Sequence, residues 1–106
     1  MIEVNQIGDG DPLEFEVIVR EASGESRHRV MMSKETYERM IAGRYTPEGW
    51  LEAAFRFLLD REPKESILGR FDVTVISRYF PEFERELPRY LSQSKSSLNW
   101  WSDKVD

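Results

Sequence analysis

The residue types that most often carry enzyme chemistry are scarce in this chain. Among its 106 residues there is one histidine, His28, and no cysteine. Zinc sites and nucleophile–histidine pairs are built from these two residue types, so the chain offers almost no material for either. It also contains neither a Walker-type nor a GxGxxG phosphate loop. We therefore expect no catalytic, cofactor-binding or metal-binding residue, and we treat His28 as structural.

Carboxylates are the remaining candidates for acid–base chemistry. Glu14 and Glu16 alternate along one segment, and three glutamates in residues 82–86 are interleaved with arginines. Mixed acids and bases at such spacings are typical of a solvated, salt-bridged surface. A small enzyme is therefore the least favoured of the three functions considered below.

Basic side chains converge on one face of a predicted hairpin. Alternation places three arginines and a methionine outward, with Glu16 near them. Such a face either is solvated and balanced by its neighbouring acid or binds an acidic protein segment or a nucleic acid. The candidate partner-binding residues of this face are Arg20, Arg27, Arg29 and Met31.

Two adjacent tryptophans, Trp100 and Trp101, follow the polar stretch 92–99. Each ring buries on the order of 150–250 Å² when it packs, so both are costly to leave in water. They either fold back onto the domain or anchor a partner, since Trp is enriched at interaction hot spots. Both are candidate partner-binding residues.

The elements that position these side chains begin with two predicted strands. Residues 13–21 and 27–32 alternate in period two, and the turn-forming run 8–12 precedes them and leaves a short N-terminal arm. A four-residue loop, 22–25, contains a glycine suited to a hairpin. Pairing across this loop predicts the opposed pairs Val19–His28, Val17–Val30 and Phe15–Met32.

Helix signals follow the hairpin. Ser33 is a predicted N-cap with Gly43 past the helix end, and Thr46-Pro47 begins a second helix. Residues 50–59 are apolar on nearly every side. A helix of that kind is either central in the fold or part of a subunit interface. One partner to consider is therefore a second copy, in a homodimer through the helix Trp50–Leu59.

The last third of the chain is less clear. Pro63 ends the second helix and begins a short one closed by Gly69. Residues 72–80 fit both a strand and a helix capped by Asp72, of which we favour the helix. Residues 81–91 have helical spacing interrupted by Pro88.

Charge and hydropathy give the broad class. The net charge of −5 arises within residues 1–16, which hold five acids and no base. The sequence predicts a single α+β domain over residues 1–91, an N-terminal β-hairpin packed on a small layer of three to five helices, with a polar tail over 92–106. No signal peptide is apparent and no apolar run approaches the ~20 residues of a membrane span. We expect a cytoplasmic protein without membrane contact.

One resemblance rests on two distinctive segments. The run Arg61-Glu62-Pro63-Lys64-Glu65-Ser66-Ile67-Leu68, followed by Val75-Ile76-Ser77-Arg78-Tyr79-Phe80-Pro81-Glu82, resembles a family of small uncharacterised bacterial proteins. The similarity spans roughly residues 46–88. It implies a bacterial source and one domain type, and it implies no activity, cofactor or site residue.

A weaker resemblance covers residues 27–59. A strand with basic outward residues, a Ser cap, a helix, a glycine turn and an apolar second helix is similar to the ribbon-helix-helix DNA-binding unit. The matching outward residues are Arg27, Arg29 and Met31. In that fold the strand pairs across a dimer, whereas residues 15–20 offer a partner within this chain.

Three functions follow from these observations. The favoured one is a non-enzymatic protein-interaction or regulatory module of a bacterial cytoplasm, with an unknown protein partner. The alternatives are a ribbon-helix-helix-like nucleic-acid-binding protein and, third, a small enzyme.

Overall fold

A four-stranded sheet and four α-helices form residues 1–92, the part of the chain that the computed structural model describes. The fold is therefore mixed α+β, as predicted. The strands are β1 (Ile2–Gly8), β2 (Leu13–Glu21), β3 (Gly24–Met32) and β4 (Arg70–Asp72). The helices are α1 (Lys34–Met40), α2 (Pro47–Leu59), α3 (Thr74–Tyr79) and α4 (Phe83–Ser92), and a 3-10 turn spans Lys64–Ser66.

The predicted hairpin is confirmed, but it lies inside a larger sheet. The strand order is β1-β2-β3-β4, with β1–β2 and β2–β3 antiparallel and β3–β4 parallel. The segment predicted as an N-terminal arm is β1. The three-residue strand β4 was not predicted, because its partner β3 is distant in sequence.

The hairpin register differs from the predicted one. The loop has two residues, 22–23, and the observed pairs are Leu13–Met32, Phe15–Val30 and Val17–His28. Gly24, at φ 136°, supplies the backbone conformation that the tight connection requires. Because the error is two residues, every side chain still points to its predicted face of the sheet.

Helix α2 is central in the fold. The Thr46 side chain accepts a hydrogen bond from the Gly49 amide and caps the helix at Pro47. Its apolar residues are buried within one chain, together with the inner face of the sheet. Of the two positions expected for this helix, the structure shows the central one, and a homodimer through Trp50–Leu59 stays a prediction.

The ambiguous segment 72–80 divides into two elements. Asp72 ends β4, and its carboxylate accepts a hydrogen bond from the Thr74 amide at the start of α3. The favoured helix is thus present over 74–79. Helix α4 continues through Pro88 and packs on α2, with the Phe83 ring 5.0 Å from the Phe57 ring.

Two further expectations concern the tail and the membrane. Residues 93–106, with the candidate residues Trp100 and Trp101, lie outside the described part of the chain. Within residues 1–92, no helix combines the length and apolar character needed to cross a membrane.

Candidate functional site

The outer face of the sheet holds the four candidate residues of the hairpin. The register brings Arg20, Arg27, Arg29 and Met31 to one face, on the side away from the buried core residues. The face is not a free basic surface, however. Arg20 pairs with Glu3 of β1 and, at 3.3 Å, with Glu25.

Carboxylates neutralise a second arginine of this face. Arg27 lies 3.1 Å from Glu25 and 3.5 Å from Glu16. The acids of the N-terminal segment therefore balance the basic hairpin across the sheet. Hydrogen bonds from Asn5 and Arg20 also hold the pKa of the Glu3 carboxyl below its ordinary value. Sequence reasoning missed this pairing because β1 was not predicted.

Arg29 is the arginine of this set without a carboxylate partner among residues 1–92. Its neighbour in the parallel register is Arg70 of β4, which is also exposed and has no ion pair within the described residues. Two adjacent guanidinium groups with one neighbouring methionine make a small surface. None of these three side chains lines the groove described next.

A second surface, the α3 groove, is concave and mostly apolar. It lies between the end of α2, the segment 62–68, β4 and α3, and has a volume of about 280 Å³. The buried residues at its base are Leu58, Phe71 and Ile76. Leu68 and Tyr79 form its exposed border, at 48% and 68% exposure. Most of its lining comes from residues 61–68 and 75–82.

His28 fixes one wall of the α3 groove. Its ring is buried, with Nδ1 2.8 Å from the Leu68 carbonyl and Nε2 2.8 Å from the Ser26 hydroxyl. A carbonyl only accepts, so Nδ1 carries the hydrogen, and in the neutral ring Nε2 accepts from Ser26. Nδ1 thus joins β3 to the groove border at Leu68, while the Nε2 bond to Ser26 lies within β3.

Lys64 connects the same segment to the hairpin turn. Its side chain is only 4% exposed, and Nζ lies 2.7 Å from Glu65, 3.0 Å from the Ser23 hydroxyl and 3.3 Å from Glu21. The hydrogen bond to Glu65 raises the pKa of the Lys64 ammonium, against the opposing effect of burial. The sequence alone gave no sign of this role, because two of the three partners are far away in the chain.

Arg61 joins the segment 61–68 to the segment 75–82. Its guanidinium donates from Nε to Glu82 at 3.1 Å and stacks on the Phe57 ring, 3.7 Å from the centroid. Nη1 also donates to the Tyr90 hydroxyl at 3.3 Å. This network holds the end of α2, the start of α4 and the last turn of α4 together beside the groove.

Glu62 is the one charged residue that lines the α3 groove. It is half-buried, and its carboxylate has no hydrogen-bond or ion-pair partner within residues 1–92. An unpaired carboxylate beside apolar surface favours a cation there. The groove therefore combines apolar contact area with one acceptor for a basic group.

Within the described residues, no three His, Asp or Glu side chains come together in an arrangement able to hold a metal ion. Comparison with known proteins gives no family: no family model, no curated protein and no solved structure matches the chain.

Proposed function

We propose that the protein is a non-enzymatic interaction module whose α3 groove binds an apolar segment of a partner protein. The observation that carries the proposal is a concave apolar surface bordered by two large, exposed side chains, Leu68 and Tyr79. Exposed apolar surface that is grouped in this way marks interaction sites more often than isolated exposed residues do.

The shape and charge of the groove define the partner's chemistry. Its volume of about 280 Å³ lies just below the range of roughly 300–1,000 Å³ typical of small-molecule sites. It suits a few side chains of a peptide segment. The unpaired Glu62 carboxylate favours a Lys or Arg next to those side chains. The partner segment thus has two or three large apolar residues beside a basic one.

The nucleic-acid alternative has less support. A ribbon-helix-helix dimer pairs its basic strand with that of a second copy, but β3 lies between β2 and β4 in this chain. Two of the three hairpin arginines also face carboxylates within 4 Å. These groups reduce the positive potential that phosphate binding requires.

A selection from a displayed 12-residue peptide library tests the proposal, with the full-length protein as bait. We expect enriched peptides to share large apolar residues and a Lys or Arg. Their binding is expected to fall at least about tenfold in Leu68→Ala and in Tyr79→Ala, because each change removes a large apolar contact that a bound segment would bury. Glu62→Gln should weaken binding of peptides with the basic residue and spare those in which it is replaced by Gln.

Ile7→Ala is the matched control, because Ile7 on β1 is also 48% exposed and does not line the groove. Its affinity should equal that of the unchanged protein. The proposal fails if no peptide is enriched, or if the enriched peptides bind Leu68→Ala and Tyr79→Ala as tightly as they bind Ile7→Ala.

A further inference from the structure

The chain itself contains a segment with the chemistry that the α3 groove favours. Residues 93–106 include Leu98, Trp100 and Trp101, with Lys95 and Lys104 on either side. Large apolar side chains beside a basic group are what the base of the groove and the Glu62 carboxylate complement. The segment also follows directly after the last described residue, Ser92.

The last turn of helix α4 contacts the segment that leads from α2 into the groove. In its last turn the Tyr90 hydroxyl donates to Asp60 at 2.6 Å and accepts from Arg61 at 3.3 Å, and Glu62 of the groove is the next residue along the chain. The Phe57 ring contacts both Tyr90 and the groove residue Phe80, each at 5.8 Å. One aromatic ring thus contacts both the last turn of α4 and a residue that lines the groove.

The length of chain is sufficient. Trp100 is eight residues beyond Ser92, and an extended chain of that length spans up to roughly 26–29 Å. Because Tyr90 hydrogen-bonds to Asp60 and Arg61, next to Glu62 of the groove, a chain of this length is long enough for the tryptophans to be proposed as its occupants.

We propose that residues 93–106 bind in the α3 groove of the same chain, with the tryptophan pair on its apolar base and a lysine beside Glu62. The inference rests on the proposed function, since it uses the same groove. Its consequence is regulation: a partner segment must displace the tail, which lowers the partner's apparent affinity by the fraction of molecules in which the groove is free.

Tryptophan fluorescence tests the placement in the full-length protein. Trp50 is buried and contributes a constant background, so subtracting the spectrum of W100A/W101A isolates the tail tryptophans. We expect blue-shifted emission that acrylamide quenches poorly. In Leu68→Ala, and separately in Tyr79→Ala, that emission should shift to the red and become quenchable, while Ile7→Ala leaves it unchanged.

The same emission distinguishes binding in the groove from the other places where the tail tryptophans could lie. Water-like emission, or blue emission that neither groove variant changes, overturns the proposal, because the tryptophans then lie in solvent or elsewhere on the domain. Emission that depends on protein concentration overturns it as well, since the tail then binds a second copy. Far-UV circular dichroism confirms that each variant remains folded.

Peptide affinity separates this inference from the proposed function. A peptide from the library selection should bind W100A/W101A on the order of tenfold more tightly than the unchanged protein if the tail fills the groove in about nine-tenths of the molecules. Equal affinities would overturn tail binding and leave the proposed function intact. If the tail emission depends on the groove but no peptide is selected, the result would support tail binding and contradict the proposed function.

Discussion

At the scale of single residues, His28 fixes the position of Leu68 at the border of the α3 groove. Its Nδ1 is the hydrogen-bond donor to the Leu68 carbonyl, 40 residues further along the chain, and its ring packs 5.3 Å from Phe55. This hydrogen bond is partly buried, and a carbonyl that loses its donor in such a place pays part of the cost of desolvation. The imidazole therefore stabilises the position of Leu68 at the border of the α3 groove.

We expect His28→Leu to lower the free energy of unfolding by roughly 1–3 kcal/mol, because the Leu68 carbonyl is left without its donor. Urea unfolding measures this change. Hydrogen exchange should show faster exchange at residues 66–71 than in the unchanged protein. Ser26→Ala, which removes only the hydroxyl on Nε2, should leave exchange at these residues slow; equal acceleration in both variants would contradict the role given to His28.

Residues whose partners are close in sequence were the more predictable ones. Alternation placed the hairpin arginines on the correct face, yet it did not reveal that Glu3 neutralises Arg20, since that pairing depends on β1. Lys64 and Glu62 gave no signal at all. Their environments are set by elements brought together only in the folded chain.

Local signals also determined how well each element was predicted. Helix α2 has an N-cap, a proline at its first position and apolar residues all around, and it was predicted close to its observed range of Pro47–Leu59. Strand β4 has three residues and a parallel partner formed about 40 positions earlier. No local periodicity marks such a strand, so neither β4 nor the groove beside it was predictable.

Removing the Thr46 side chain that caps α2 should lower the stability of the folded protein. We expect Thr46→Ala to lower the free energy of unfolding by about 1 kcal/mol, because the Gly49 amide loses its acceptor. Thermal or urea unfolding measures the difference. Thr46→Ser keeps the hydroxyl and should restore most of the stability; a serine variant as unstable as the alanine variant would show that the methyl group, not the cap, matters.

At the scale of the whole molecule, three hydrogen-bonded glutamates make the stability of the fold depend on pH. The carboxyls of Glu3, Glu65 and Glu82 all have a pKa below the ordinary value. For Glu82 the causes are its own backbone amide and then Arg61; for Glu65 the hydrogen bond to Lys64 comes first. Glu3 and Glu82 pair with Arg20 and Arg61 of other elements, whereas Glu65 pairs with its sequence neighbour Lys64.

The sign of the effect follows from proton binding. Unfolded glutamates titrate near pH ~4.3, and the folded pKa values lie lower, so the unfolded chain binds more protons between the two. The contribution is present above the unfolded pKa and is lost as pH falls through the folded one. The raised pKa of Lys64 acts at the alkaline end: its contribution is present below pH ~10.4 and is lost as pH rises through the folded pKa.

When the pH is lowered from about 7 to about 3, Glu82→Gln should therefore lose less stability than the unchanged protein. The reason is that its unfolding takes up one fewer proton. At neutral pH the variant should be the less stable of the two, because Arg61 loses its carboxylate partner. Urea unfolding at both pH values measures this. Glu38→Gln, on an exposed position of α1 without an ion pair in the described chain, is the control; an identical pH response in both variants would contradict the assignment.

The parallel pairing of β4 with β3 has a consequence for the order of folding. The antiparallel strands β1, β2 and β3 are joined by short turns, whereas β4 forms only after the chain has closed a loop over residues 33–69. Closing a longer loop costs more entropy, and non-local pairs form more slowly. We expect the three-stranded meander to form early and the groove to form late and open first, without global unfolding. Hydrogen exchange in the unchanged protein reports this order, and residues 66–71 exchanging as slowly as the centre of β2 would contradict it.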